Sequence, residues 1–260
     1  MSTRLAVLSA FLVPVACAAA LLAALFTAIP ALADTVFQGG SYGYDISYPQ
    51  KTGPYPSPTQ TPLTFGIVGV TGGHAFTKNS YLSSQYQSVT GKSLQPSLYM
   101  NLNYAIGSTA RGNTGSCSRG DKACQAYNYG YNAAEYAFSY AGTQGATAST
   151  WWLDIETANS WSAKPALNAK VIQGAIDYLS AQDYSTTTTT QKVAVGIYSN
   201  AATWKKIAGS YVSGLPNWVY GAPSSSAMST YCGPTYAFGG GTVAVVQYWN
   251  GSYDLDYACQ

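Results

Sequence analysis

Strand-like and helix-like segments alternate through the first two thirds of the chain, and acids fall where predicted strands end. After an apolar N-terminal leader about 227 residues remain, enough for one large core. Together these observations predict an α/β fold: a single (β/α) TIM-like barrel, irregular in places and held by disulfides. In such a barrel the working residues gather at the ends of the strands.

The elements follow in chain order. Arg4 precedes an almost continuous apolar run from Leu5 to Ile29, and Ala31-Leu32-Ala33 fits the small-x-small rule for cleavage. Residues 1–33 are therefore expected to be a signal peptide, residues 34–260 the barrel domain, and the protein secreted. The run is also long enough to span a bilayer, so an uncleaved anchor is the competing expectation. Cys17 sits inside this run behind a poor lipobox, so no lipoprotein is read.

Ser41 to Ser47 alternates and ends on an acid, as a first strand. Residues 49–62 are proline-rich and irregular. Thr64 to Val70 is a buried second strand that feeds the Gly72-Gly73-His74 loop, and a helix is expected near residues 79–89. Ser97 to Asn103 is a third strand, and an Ala- and Tyr-rich helix is expected from about residue 126 to 142. Trp151 to Glu156 is the fourth strand. Pro165 to Gln182 carries Val171, Ile172, Ala175, Ile176 and Leu179 at helical spacing. Ser185 to Thr190 is a polar turn. Val193 to Tyr198, Trp218 to Tyr220 and Val243 to Tyr248 are later strands, a short helix covers 201–208, and Ser252 to Asp256 forms a tail.

Composition narrows the function. Once the leader is gone the charges nearly cancel, which gives no electrostatic case for nucleic acid or for an anionic membrane. Charged residues are only 8% and aromatics 14%, so hydroxyls, amides and rings carry the surface chemistry. That suits neutral, hydroxyl-rich ligands such as polysaccharides, because flat rings cover the apolar faces of sugars. The expected partner is therefore a glycan, and the expected state a monomer. Four cysteines remain after cleavage, an even number in a secreted chain. Cys117 and Cys124 share one loop and are paired, leaving Cys232 with Cys259, although spacing alone leaves other pairings open. One histidine and four oxidised cysteines argue against zinc and against a thiol nucleophile, so no metal or cofactor is expected. No Gly-x-Ser-x-Gly elbow is present.

The chemistry concentrates in Trp152-Leu153-Asp154-Ile155-Glu156. Alternation along a strand puts Trp152, Asp154 and Glu156 on one face and sends Trp151 to the other, towards the helix layer. The α-carbons of Asp154 and Glu156 are then about 6.6 Å apart. Carboxyls this close do not titrate alike, so one holds a proton while another carries charge. Two solvated acids at a strand end are the plainer alternative. Asp45 and Asp254 sit at other predicted strand ends, and such a cluster suits glycosidic cleavage. Asp256 is assigned to the surface, and Asp254 with Asp256 is too small a set for calcium. Tyr99, Asn101, Trp152, Tyr198, Trp218, Gln247 and Trp249 are candidate sugar contacts from strand ends, with core packing as their rival role. His74, from its loop, is another, with simple exposure as its rival.

Four segments then resemble one family in its own order. Tyr44-Asp45-Ile46-Ser47 with Gln50 looks like the opening motif of the family 25 glycoside hydrolases, which are bacterial and phage lysozymes. Trp152 to Glu156 looks like their Asp-x-Glu strand. Gly196-Ile197-Tyr198-Ser199-Asn200 and Trp218-Val219 are similar to the strands that follow. Val246-Gln247-Tyr248 with Asp254-Leu255-Asp256 is similar to the closing Gln-Tyr and Asp-Leu-Asn segment. Residues 71–145 show no such likeness.

The resemblance implies hydrolysis of the bond after N-acetylmuramic acid in peptidoglycan. It makes Glu156 the general acid/base and Asp154 the residue that positions an N-acetyl group for attack on its own sugar carbon. Asp45 and Asp254 become supporting aspartates. A non-catalytic carbohydrate-binding or wall-associated protein on the same barrel is the alternative.

Overall fold

A computed structural model describes residues 36–106, 117, 118 and 120–259. The expected leader at 1–33, with Cys17, lies outside the described residues, as does most of the segment before Cys117. Among the described residues no helix is long and apolar enough to cross a membrane.

The strands are β1 (Tyr42–Ile46), β2 (Leu63–Gly69), β3 (Gln95–Asn101), β4 (Thr150–Asp154), β5 (Asp183–Ser185), β6 (Thr190–Lys192), β7 (Ala194–Ser199), β8 (Asn217–Tyr220), β9 (Val243–Trp249) and β10 (Asp254–Ala258). The helices are α1 (Leu82–Thr90), α2 (Lys122–Thr143), α3 (Pro165–Ala181), α4 (Ala201–Ala208) and the single turn α5 (Met228–Tyr231). Eight strands close a barrel in the order β1-β10-β9-β8-β7-β4-β3-β2. All neighbours run parallel except at β10, which pairs antiparallel with both β9 and β1. The expected TIM-like barrel is therefore present with an irregular seam. No helix separates β1 from β2 or β9 from β10. The tail read after Ser252 is the strand that closes the ring.

Side-chain alternation sorts the core into two layers. Inside the barrel lie Phe65, Ile67, Trp152, Trp218, Val245 and Ala258, with Phe37 stacked on Phe65 at 3.9 Å. Between barrel and helices lie Trp151, Leu153 and Ile155 with the apolar faces of α2 and α3. Trp151 meets Phe138 of α2 at 5.6 Å. Burying each such side chain contributes about 1.5–3 kcal/mol relative to leaving it in water. Gly196 of β7 is required here, since a Cβ would stand 2.3 Å from the Trp152 ring.

Element edges show local causes. α2 begins before residue 126 because the Asp121 carboxylate accepts the Cys124 amide at 3.0 Å and caps the helix. α1 starts late because Asn79 is fully buried, donating to the Gly69 carbonyl and accepting from the Tyr81 amide. The polar stretch after Gln182 is a two-stranded hairpin, β5 with β6, rather than a simple turn. Its Lys192–Asp183 ion pair at 2.8 Å is exposed, so it adds little stability. Both expected disulfides are present, Cys117–Cys124 and Cys232–Cys259, and the second ties the end of β10 to the segment after α5.

Candidate active site

The barrel mouth is assembled by strand register. Asp45 of β1 sits opposite Asp254, the first residue of β10. Because β10 is reversed, its start lies at the same end of the barrel where the parallel strands finish. Around the other side, Asn101 of β3 pairs with Asp154 of β4, Asp154 with Tyr198 of β7, and Tyr198 with Trp218 of β8. Glu156 follows two residues after β4 ends. Asp45, Asp154, Glu156 and Asp254 line one pocket of about 230 Å³ with Tyr99, Tyr198, Trp218 and Gln247.

The acids are held differently. Asp154 is buried and its Oδ2 accepts a hydrogen bond from Asn101 Nδ2, while Asn101 Oδ1 accepts from Thr71 Oγ1 at 2.6 Å. Asp45 is buried and accepts from Gln247 Nε2 at 2.7 Å, and Tyr198 Oη donates to Gln247 Oε1 at 2.7 Å. These two relays fix both carboxylates from behind. Glu156 is only partly buried, and among the described residues its carboxyl has no hydrogen-bond partner. It faces the pocket free to exchange a proton.

The electrostatics follow from burial and crowding. Burial raises the proton affinity of Asp154, and the neighbouring Glu156 charge raises it further, against the opposing pull of the Asn101 amide. Asp45 is raised well above the carboxylate range by burial, then by Asp254 and Asp256, with the Gln247 amide opposing. Glu156 is raised by burial. Asp254 is pushed up to about 6 by burial and by Glu156. The cluster thus keeps some of its protons where isolated carboxyls would have lost them, and holds both acid and base forms at mildly acidic pH.

Several sequence candidates lie elsewhere. Trp152 is fully buried beneath the pocket, its indole N–H on Ser97 Oγ at 2.9 Å, which leaves no face for a ligand. Asn101 stands behind Asp154 and does not line the pocket. Trp249 is 54% exposed at the end of β9, opposite Asp254 in register but outside the pocket lining. His74 is exposed, its Nδ1 3.1 Å from Asn159 Oδ1.

One assignment is overturned. Asp256 is completely buried and not a surface acid; its Oδ1 accepts from Trp218 Nε1 at 2.8 Å. The cause is strand alternation, since two residues beyond Asp254 on β10 the chain faces inward again. Burial first, then Asp254, raises Asp256 well above the usual range. Ser47 and Gln50, which belong to the opening motif but are not among the sequence's site candidates, line the pocket too, as does Pro49. Gln50 Oε1 accepts the Ser47 amide at 2.9 Å and Gln85 Nε2 donates to the carbonyls of both, which fixes the loop after β1.

A parallel barrel closed by a reversed last strand carries these carboxyls at its mouth. The family model of lysozyme-like protein 1 matches residues 121–229. The fold is shared with a family GH25 lysozyme from Aspergillus fumigatus, at 17% identity and a TM-score of 0.54, covering 84% of this chain and 93% of that one. A bacterial lysozyme from Streptomyces coelicolor is similar at 17% identity and 0.53, covering 86% and 94%. The CTP1L endolysin is similar at 12% identity and 0.50, covering 84% of this chain; the chain spans 66% of that endolysin's length. No curated protein matches the chain in sequence. The family model matches less than half of the chain, and the likeness to these solved structures is one of fold.

Proposed function

We propose that the protein is a secreted glycoside hydrolase that cleaves N-acetylated cell-wall glycan in the manner of a muramidase, with Glu156 as general acid/base and Asp154 supporting it. The observation that carries the reading is the contrast between these two carboxyls. Asp154 is buried and oriented by Asn101, whereas Glu156 opens to the same pocket with no competing partner among the described residues.

In the first step a glycosidic C–O bond breaks as the N-acetyl oxygen of the same sugar bonds to the anomeric carbon. Glu156 passes its proton to the leaving oxygen. Asp154, held by the Thr71–Asn101 relay, takes the N-acetyl N–H, as its counterpart does in the enzymes the motifs resemble. In the second step the Glu156 carboxylate removes a proton from a water that attacks the same carbon and releases the N-acetyl group. Asp45 and Asp254 shape the negative field that favours the cationic ring. Tyr99, Tyr198 and Trp218 wall the pocket, and exposed Trp249 gives a platform at its rim. The disulfides suit an extracellular setting.

The test is release of reducing ends from purified peptidoglycan. Wild-type protein should release them, and Glu156→Gln should lower the rate by about 10²–10⁴-fold while glycan binding persists. Binding without turnover by the wild type would leave only a carbohydrate-binding role, and turnover that survives Glu156→Gln would take the acid/base role away from Glu156.

A further inference from the structure

The turn between β9 and β10 carries the only Asn–Gly pair in the chain, Asn250-Gly251. It joins Trp249, the last residue of β9, to Asp254, the first of β10, and these two pair across the ladder. The same turn therefore delivers Asp254 to the pocket, opposite Asp45. Asn250, Gly251 and Ser252 are exposed.

The Asn250 side chain builds the turn. Its Oδ1 accepts the amides of Ser252 and Tyr253, each at 2.9 Å, and its own amide donates to the Tyr253 carbonyl at 3.2 Å. The two bonds to Oδ1 draw electron density from the side-chain carbonyl and make Cγ a better electrophile. Neither Asn250 Nδ2 nor the Gly251 amide has a hydrogen-bond partner among the described residues. Gly251 adopts a φ of +95°, and a Cβ there would meet nothing within 4 Å, so no side chain shields its amide. A polarised carboxamide and a free, open backbone amide are thus adjacent in sequence.

We propose that Asn250 is a site of self-modification, at which attack by the Gly251 amide converts the turn to an aspartyl or isoaspartyl form and alters how Asp254 is presented to the pocket. The Gly251 amide gives its proton to base, and its nitrogen bonds to Asn250 Cγ. The Cγ–Nδ2 bond breaks and the nitrogen leaves as ammonia. Water then opens the cyclic imide. Opening at Cγ leaves aspartate on an unchanged backbone, and opening at the main-chain carbonyl leaves isoaspartate, whose backbone runs through the former side chain. Water is consumed, ammonia is released, and nothing is oxidised or reduced. Both products place a new negative charge beside Asp254, and the isoaspartyl form also lengthens the turn that sets the β9–β10 register. The effect on turnover rests on the hydrolase reading of the pocket; the covalent change does not.

The test incubates the folded protein in mildly alkaline buffer beside a free peptide spanning residues 249–254, until the peptide is converted. Peptide mapping should show a gain of about one dalton at Asn250 in the protein as well, and Gly251→Ala should lose most of it. An unchanged Asn250 under conditions that convert the peptide, or a gain confined to other asparagines, overturns the proposal. The isoaspartyl fraction, separated by charge, should release reducing ends from peptidoglycan about tenfold more slowly than fresh protein. Asn250→Asp, which keeps the backbone and the accepting oxygen, should lose much less. Equal rates for the isoaspartyl fraction and fresh protein would cut the link to Asp254. Fresh protein that releases no reducing ends would be the failure of the hydrolase reading instead, and peptidoglycan binding by the same fractions then supplies the comparison.

Discussion

Asp254 and Asp256 lie two residues apart on one strand and face the same interior, yet their neighbours give them different work. Asp254 opens to the pocket, while Asp256 holds the Trp218 indole from below. The proton affinity of Asp254 is raised to about 6, so the folded state keeps a proton that the unfolded chain has already released. Its contribution to stability is therefore greatest below the ordinary aspartate range and is lost as pH climbs through about 6. Asp254→Asn removes that slope. Thermal melts should place the variant close to wild type at pH 4 and a few degrees above it at pH 8; a difference independent of pH would show that the raised affinity is not there.

At this scale the sequence was readable where one rule settled the matter. Asp154, Glu156, Asp45 and Asp254 were found because alternation and strand ends put acids at a barrel mouth. Trp152 shares a face with Asp154, but that same alternation places it one layer deeper, in the packed interior. Asp256 is not legible as an interior acid because the stretch after Ser252 looks like a tail, to which strand alternation does not apply.

Helices α2 and α3 pack directly against each other in the barrel's outer layer, and two glycines permit it. A Cβ on Gly130 would stand 1.8 Å from the Val171 carbonyl oxygen, and one on Gly174 would stand 2.1 Å from the Tyr127 carbonyl oxygen. In an open helix Gly→Ala is stabilising. Here the added methyl meets backbone that cannot yield, so Gly130→Ala and Gly174→Ala should each cost about 1–3 kcal/mol in urea unfolding. A neutral or stabilising result would mean that the helices sit farther apart. α2 and α3 were themselves legible from helical spacing, but their contact was not, because a glycine in a helix carries no sign of what approaches it. The β5–β6 hairpin was also hidden, since its short, exposed strands carry no apolar alternation.

For the molecule as a whole, the reversed strand β10 is what makes the site possible. A barrel of parallel strands alone would present only strand C-terminal ends at its mouth. Turning the last strand around delivers Asp254 from a strand start, directly opposite Asp45. The alternation of strands and helices made the barrel legible, and the antiparallel closure was not, because a five-residue strand beside the chain terminus looks like a tail.

The role proposed for Glu156 is to give and take a proton within a cluster of unequal carboxyls. The pH dependence of kcat/KM for reducing-end release from peptidoglycan tests it most directly. Release should peak on the acidic side of neutrality, falling at higher pH as the raised Glu156 carboxyl loses its proton and at lower pH as its neighbours gain theirs. A rate that stays level across this range, or climbs into alkaline pH, would contradict it.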